Sequence, residues 1–189
     1  MIIGTHIILT GYGHWLPNDP RGSMSNRVHA PRIGELGEVH QGRREEQPLP
    51  EQIREFCRQA QGALGYPLRW FSVRERSLLA AAFGDVIAGS KITCYACAIL
   101  TSHVHILVRR HAIAAQRVSR MLKEAGRQAL RATFPAEHPV FSADCAHHFK
   151  STPHLMWECI TYINENFDKH DLPRERYPFV VDYQGWTPW

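Results

Sequence analysis

Apolar positions fall along this chain in two rhythms, and the switches between them outline the fold. Residues 2 to 10, with β-branched Ile2, Ile3, Ile7 and Ile8, alternate loosely as a first strand does. The run 74-RERSLLAAAFGDVIAG-89 changes to helical spacing, gathers Leu78, Leu79, Ala82, Phe83 and Val86 on one side, and ends at a glycine. Two strand-like runs follow, 91-KITCYACAIL-100 and 103-HVHILVRR-110, joined closely enough for a hairpin that turns at Thr101 and Ser102. Helical spacing returns over residues 112 to 133, where Val118, Met121, Leu122, Ala125 and Ala129 share a face. A short extended segment, 139-PVFSADCAHHFKS-151, leads to a last helix that opens after Ser151-Thr152-Pro153 and runs to about Phe167 on a stripe of Met156, Ile160, Ile163 and Phe167.

Between the first strand and the first strong helix the rhythm is lost. GYGHWLPNDPRGS, dense in Gly, Pro, Asn and Asp, is a structured loop. Residues 26 to 68 show only one short helical stretch, 50-PEQIREFCRQA-60, and read as a surface insertion. The order β, insertion, α, β, β, α, β, α predicts an α+β fold, a ferredoxin-like sandwich with helices packed on one face of an antiparallel sheet. A chain of 189 residues fits one domain, 1–189, carrying that insertion and a C-terminal tail, 174-RERYPFVVDYQGWTPW-189. So aromatic a tail must dock. Phe179 and Val181 would extend the core on the back of the sheet; alternatively Tyr183, Trp186 and Trp189 would lie near the groove leading to Tyr162.

Composition narrows the class. At 44% hydrophobic and 21% charged residues the chain is ordinary for a soluble globular protein, and no apolar run approaches the roughly 18 residues of a membrane span. The N-terminus lacks the basic flank of a signal peptide, so a cytoplasmic location is expected. Five cysteines form no even framework, and Cys94 and Cys97, three apart in a strand, point to opposite faces, which disfavours a zinc pair. The net charge of +4 is mild, but Arg109 to Thr133 holds seven basic residues against one acid. Arg117, Arg120, Lys123, Arg127 and Arg131 gather on the outer face of that helix and make a polyanion a plausible partner.

The chemistry concentrates in 102-SHVHILV-108. Alternation puts His103 and His105 side by side on one face, and paired neutral imidazoles suit a divalent metal. On the last helix Tyr162 lies on the flank of the apolar stripe, with Asn166 one turn further on. A tyrosine oxygen becomes a useful nucleophile where a metal polarises its electrophile, and an asparagine carbonyl can complete the coordination of a hard cation. Taken singly, Tyr162 equally suits an amphipathic boundary position and Asn166 a helix C-cap.

Taken together, 99-ILTSHVHILV-108, 155-LMWECITYINENF-167 and 11-GYGHWLPNDPRG-22 resemble the histidine strand, tyrosine helix and first loop of the IS200-like, REP-associated tyrosine transposases, part of the HUH superfamily of single-strand nucleases. The resemblance spans most of residues 2 to 182 and is thinnest over 26 to 68. It implies Mg²⁺ or Mn²⁺ held by His103, His105 and Asn166, and Tyr162 as nucleophile. It further implies single-stranded or hairpin DNA as partner, and two transesterifications through a 5′-phosphotyrosine that need no nucleotide cofactor. Arg117, Arg120, Lys123, Arg127 and Arg131 would meet the DNA backbone, and Trp15 would stack on a base. The chain departs from the pattern at Phe167, where relatives usually carry proline, and at Asn164, where histidine is common. Two other readings share these residues: a hairpin DNA or RNA binder of the same ancestry that cuts little, and a metal-dependent phosphoesterase acting on small molecules. Monomer and homodimer are both open.

Overall fold

The computed structural model describes residues 1–25 and 31–187. Its sheet contains β1 (Gly4–Thr10), β2 (Cys94–Ile99), β3 (His103–Arg109) and β4 (Ala146–Lys150) in the order β2-β3-β1-β4, every neighbouring pair antiparallel. The helices are α1 (Pro31–Gly34), α2 (Pro50–Ala63), α3 (Val73–Gly89), α4 (Ala115–Ala129) and α5 (Pro153–Lys169). This is the α+β, ferredoxin-like arrangement: β1-α3-β2 and β3-α4-β4 interleave so that β1 and β3 lie at the centre. Local chemistry sets the helix starts. Ser72 and Glu75 close a reciprocal capping box on α3, and Thr152 Oγ1 accepts from Leu155 N ahead of Pro153 on α5.

Directly paired residues share a face, so the β1–β3 register Ile8 to His105 and His6 to Leu107, with His6 to His148 on β4, collects the histidines on one side. Ile7, Leu9, Val104 and Ile106 fill the other. Here the structure corrects the expectation of helices on one face only. α3 and α4 cover the Ile7 side, while α5 crosses the histidine side. The cause is visible in β2 and β3, which are buried residue after residue rather than at alternate positions, so both faces need cover. Small side chains let α5 approach: a Cβ on Gly4 would stand 2.5 Å from the Met156 sulfur, and Ala96 and Ala98 are fully enclosed.

The insertion is less featureless than its sequence. Ile33 of α1 and Phe56 and Ala60 of α2 close a satellite core on Leu16 from the first loop, with Leu36, Cys57 and Leu64 around it. Residues 26–30, the start of the predicted insertion, lie outside the described residues. Its far end is tied to the sheet: Arg69 N donates to Tyr12 O, Phe71 N to Thr101 O, and the fully buried Arg69 guanidinium pairs with Glu75 at 2.7 Å and lies over the Phe134 ring.

The tail docks in part as expected: Phe179 packs on the main core against Gly84 of α3. Val181 N donates to Cys94 O and Val180 bridges Cys94, so the tail runs beside the outer edge of β2. Tyr183 is buried between Tyr95 and Trp157, with ring centroids 4.9 and 5.3 Å away, while Val181 itself is exposed. Trp186 lies 4.8 Å under the Arg109 guanidinium. Arg109 ends the strand that His103 begins, about 20 Å away at the usual strand rise. An unpaired strand edge attracts other strands, and covering it is the physical reason for this docking. Trp189 lies outside the described residues.

Candidate metal and tyrosine site

His103 and His105 stand together as the alternation predicts, ring centroids 4.8 Å apart and both buried. Each has its Nδ1 engaged: that of His103 lies 3.0 Å from Ser102 Oγ, and that of His105 lies 2.8 Å from Nε2 of His6. The Nε2 of His105 is buried without a hydrogen-bond partner. Burial is the first cause that lowers the basicity of all three rings. His6 and His103 are pushed down to about 3, with the neighbouring positive groups His148 and Lys150 adding to it at His6 and His170 and His14 at His103, and His105 is held well below the ordinary histidine value. Neutral imidazoles keep their lone pairs, which is what a metal ligand requires.

α5 brings the phenol to this pair. Tyr162 is 44% exposed at the flank of the stripe of buried Met156, Ile163 and Phe167, and its ring stands edge-on to His105 at 5.6 Å and to His6 at 6.0 Å. Lys169, two turns on, places its ammonium 4.9 Å over the same ring. Asn166 is buried, with Nδ2 donating to Tyr162 O at 2.7 Å, and no donor among the described residues meets its Oδ1. Among the described residues no three His, Cys, Asp or Glu side chains are placed to hold a metal ion. The Asn166 amide oxygen and the His105 Nε2 are lone-pair donors that no group among the described residues engages, and both suit a divalent cation chemically. The donor set of His103, His105 and Asn166 is therefore compatible with Mg²⁺ or Mn²⁺.

Three further histidines reach the site. His6 and His148 enter from β1 and β4 with rings 5.8 Å apart, and His170, the C-cap of α5, lies 5.1 Å from His103. Sequence spacing pointed to none of them, because each comes from a different element. The one available signal was His6 at an inward-facing position of an otherwise apolar strand.

The chain is similar in structure to two solved proteins. One is a REP-associated tyrosine transposase bound to a REP hairpin, 10% identical over 99% of this chain and 92% of that one, with a TM-score of 0.47. The other is named a "putative transposase" from Deinococcus radiodurans R1, 13% identical over 88% of this chain and 91% of that one, with a TM-score of 0.40. No protein-family model and no curated protein matches the sequence.

Of the expected nucleic-acid contacts, Trp15 does lie beside the site, 6.4 Å from His103 and edge-on to it. It adopts a left-handed backbone with φ 53°, its carbonyl takes the Ser23 hydroxyl, and Arg21, paired with Asp19, covers one face of its indole at 4.0 Å. Gly11 fixes the root of this loop: a Cβ there would meet the carbonyl oxygens of Arg69 and Ser102 at 2.8 and 2.9 Å. The basic stripe on α4 is on the opposite side of the sheet from the histidines. Within it Lys123 is committed to the carbonyls of Ser142, Ala143 and Asp144 at 2.7 to 2.9 Å, and Arg127 pairs with Glu124. No carboxylate among the described residues pairs with Arg117, Arg120 or Arg131. No helix of the described residues is long and apolar enough to cross a membrane.

Proposed function

We propose that this chain cuts and rejoins single-stranded or hairpin DNA through Tyr162 and a divalent cation, Mg²⁺ or Mn²⁺, held by His103, His105 and Asn166. One observation carries the reading: a half-exposed phenol stands beside two buried, neutral imidazoles, one of which has an orphaned Nε2. Half-exposure alone suits a boundary tyrosine as well; the buried His105 Nε2 without a partner is what favours a site, since buried polar atoms are normally satisfied. When bound, the cation supplies Lewis-acid polarisation of a phosphodiester oxygen. Tyr162 Oη attacks phosphorus, forming the Oη–P bond while the P–O3′ bond breaks. The 3′ oxygen leaves as a hydroxyl, taking up the proton that the phenol gives up to solvent. The ester energy is kept in the phosphotyrosine, so a second 3′-OH reverses the step and joins a new strand.

The test is a denaturing gel of protein incubated with labelled hairpin DNA carrying a single-stranded flank, with Mn²⁺. The wild type is expected to give a covalent adduct, and Tyr162→Phe none, with DNA affinity retained. Turnover of small phosphodiesters by the Tyr162→Phe protein would replace this reading with the hydrolytic one. Hairpin binding with no adduct from the wild type would leave a binding protein.

A further inference from the structure

The 2.8 Å contact between His6 Nε2 and His105 Nδ1 holds a single proton, and where it sits decides what His105 can do. If His6 donates, the proton of neutral His105 moves to its Nε2, which is buried with nothing to receive it. If His105 donates, Nε2 keeps a lone pair instead, and an unmet acceptor inside a protein is tolerated more readily than an unmet N–H. The second arrangement is also the only one in which His105 can bind a cation.

We propose that His6 is a positioning residue that accepts the Nδ1–H of His105 and so locks His105 in the tautomer whose Nε2 is open to metal. The inference rests on the metal reading of the site and adds to it a residue from another strand. Geometry makes His6 suited to this. It is a diagonal neighbour of His105 across the β1–β3 ladder, fixed by the register that pairs His6 with Leu107 and Ile8 with His105. Its ring is tilted 30° to that of His105 with 5.0 Å between centroids, and 4% exposure leaves it little room to turn away. Its Nδ1 carries the compensating proton. Ser102 Oγ meets Nδ1 of His103 in the corresponding position, so both imidazoles are held from behind and offer Nε2 forward. Partners of this kind, behind the ligands, commonly alter metal affinity about 10- to 100-fold.

The experiment reads the tautomer directly, without DNA. Protein labelled with ¹⁵N-histidine and free of metal gives long-range ¹H–¹⁵N correlations that separate a protonated from an unprotonated ring nitrogen. In the wild type, His105 is expected to carry its proton on Nδ1. In His6→Phe that preference should be lost, and Mn²⁺ affinity measured by calorimetry should fall about 10- to 100-fold. In His6→Gln, whose amide oxygen can accept at the same reach, most of the affinity should return. A proton on Nε2 of His105 in the wild type overturns the inference, and that measurement needs no variant to fold. Equal Mn²⁺ affinity in wild type and His6→Phe overturns it as well, as does a wild type that binds no Mn²⁺. Failure of the strand-transfer reading looks different: the tautomer and affinity results hold, but no covalent adduct forms.

Discussion

The ring of Tyr162 on α5 stands edge-on to that of His105 on β3, with centroids 5.6 Å apart. Two decisions of the chain, far apart in sequence, meet in that contact. Alternation along β3 turns His103 and His105 toward the face that α5 crosses, and the helical period of α5 buries Met156, Ile163 and Phe167 while leaving Tyr162 on the flank. The Asn166 amide then binds the Tyr162 carbonyl one turn back, so the phenol and the free amide oxygen are carried by the same rigid turn. The two proposed roles on α5, nucleophile and ligand, thus cannot shift independently.

Acid should destabilise the metal-free protein over a defined window. In the unfolded chain His6 and His103 take protons near 6.5, but in the fold burial keeps them neutral down to about 3. Between those values the unfolded state binds more protons, so stability is intact above about pH 6.5 and falls as pH drops toward 3. The slope is up to about 1.4 kcal/mol per pH unit for each imidazole. Denaturant titrations at pH 7, 6, 5 and 4 check this, and His6→Phe should flatten the profile. A profile without slope from pH 6.5 to 4 would mean that these rings titrate freely in the fold.

On α4 the charges divide by what they touch. Replacing Lys123 with Met leaves three carbonyls of residues 142 to 144 without their common donor, at a cost of about 1 to 3 kcal/mol, with no change in the salt dependence of DNA binding. Among the described residues Arg117 and Arg120 make no such link to another segment: Arg120 Nε donates only to Gln116 O of its own helix, at 3.3 Å. Replacing both with alanine should leave stability unaltered and flatten the slope of log K against log salt by roughly one unit for each DNA phosphate that an arginine no longer neutralises. An unaltered slope would confine DNA to the histidine side of the sheet.

The parts legible from sequence are those encoded by local period. The pairing of His103 with His105, the extents of α3 and α5, and the flank position of Tyr162 each depend on a single element's rhythm, and each is found where that rhythm puts it. What escaped depends on relations between elements. His6 meets His105 through the β1–β3 register, which no local pattern encodes. Lys123 has the same helical spacing as the arginines beside it, and only the path of residues 142 to 144 removes it from the solvent face. The placement of α5 opposite α3 and α4 follows from burial on both faces of β2 and β3, whose apolar runs were read for strand content rather than for the number of layers.

The tail offers a test in which stability and DNA handling separate. Tyr183 is 2% exposed, wedged between Tyr95 of β2 and Trp157 of α5, and its hydroxyl donates to Trp186 O at 2.9 Å. Truncating a ring buried to this degree opens a cavity, and Tyr183→Ala should cost about 3 to 5 kcal/mol in a denaturant titration. The same change frees the outer edge of β2 where Val181 N now meets Cys94 O, and an exposed edge promotes association, seen as a concentration-dependent rise in sedimentation coefficient. Trp186 is different. It is half-buried against Arg109 at the end of β3 remote from His103, so Trp186→Ala should leave single-strand affinity and adduct formation per folded molecule unchanged. A drop in single-strand affinity in Trp186→Ala at undiminished stability would mean that bound DNA runs the whole length of β3, from His103 to Arg109, and would return the tail to the nucleic-acid surface.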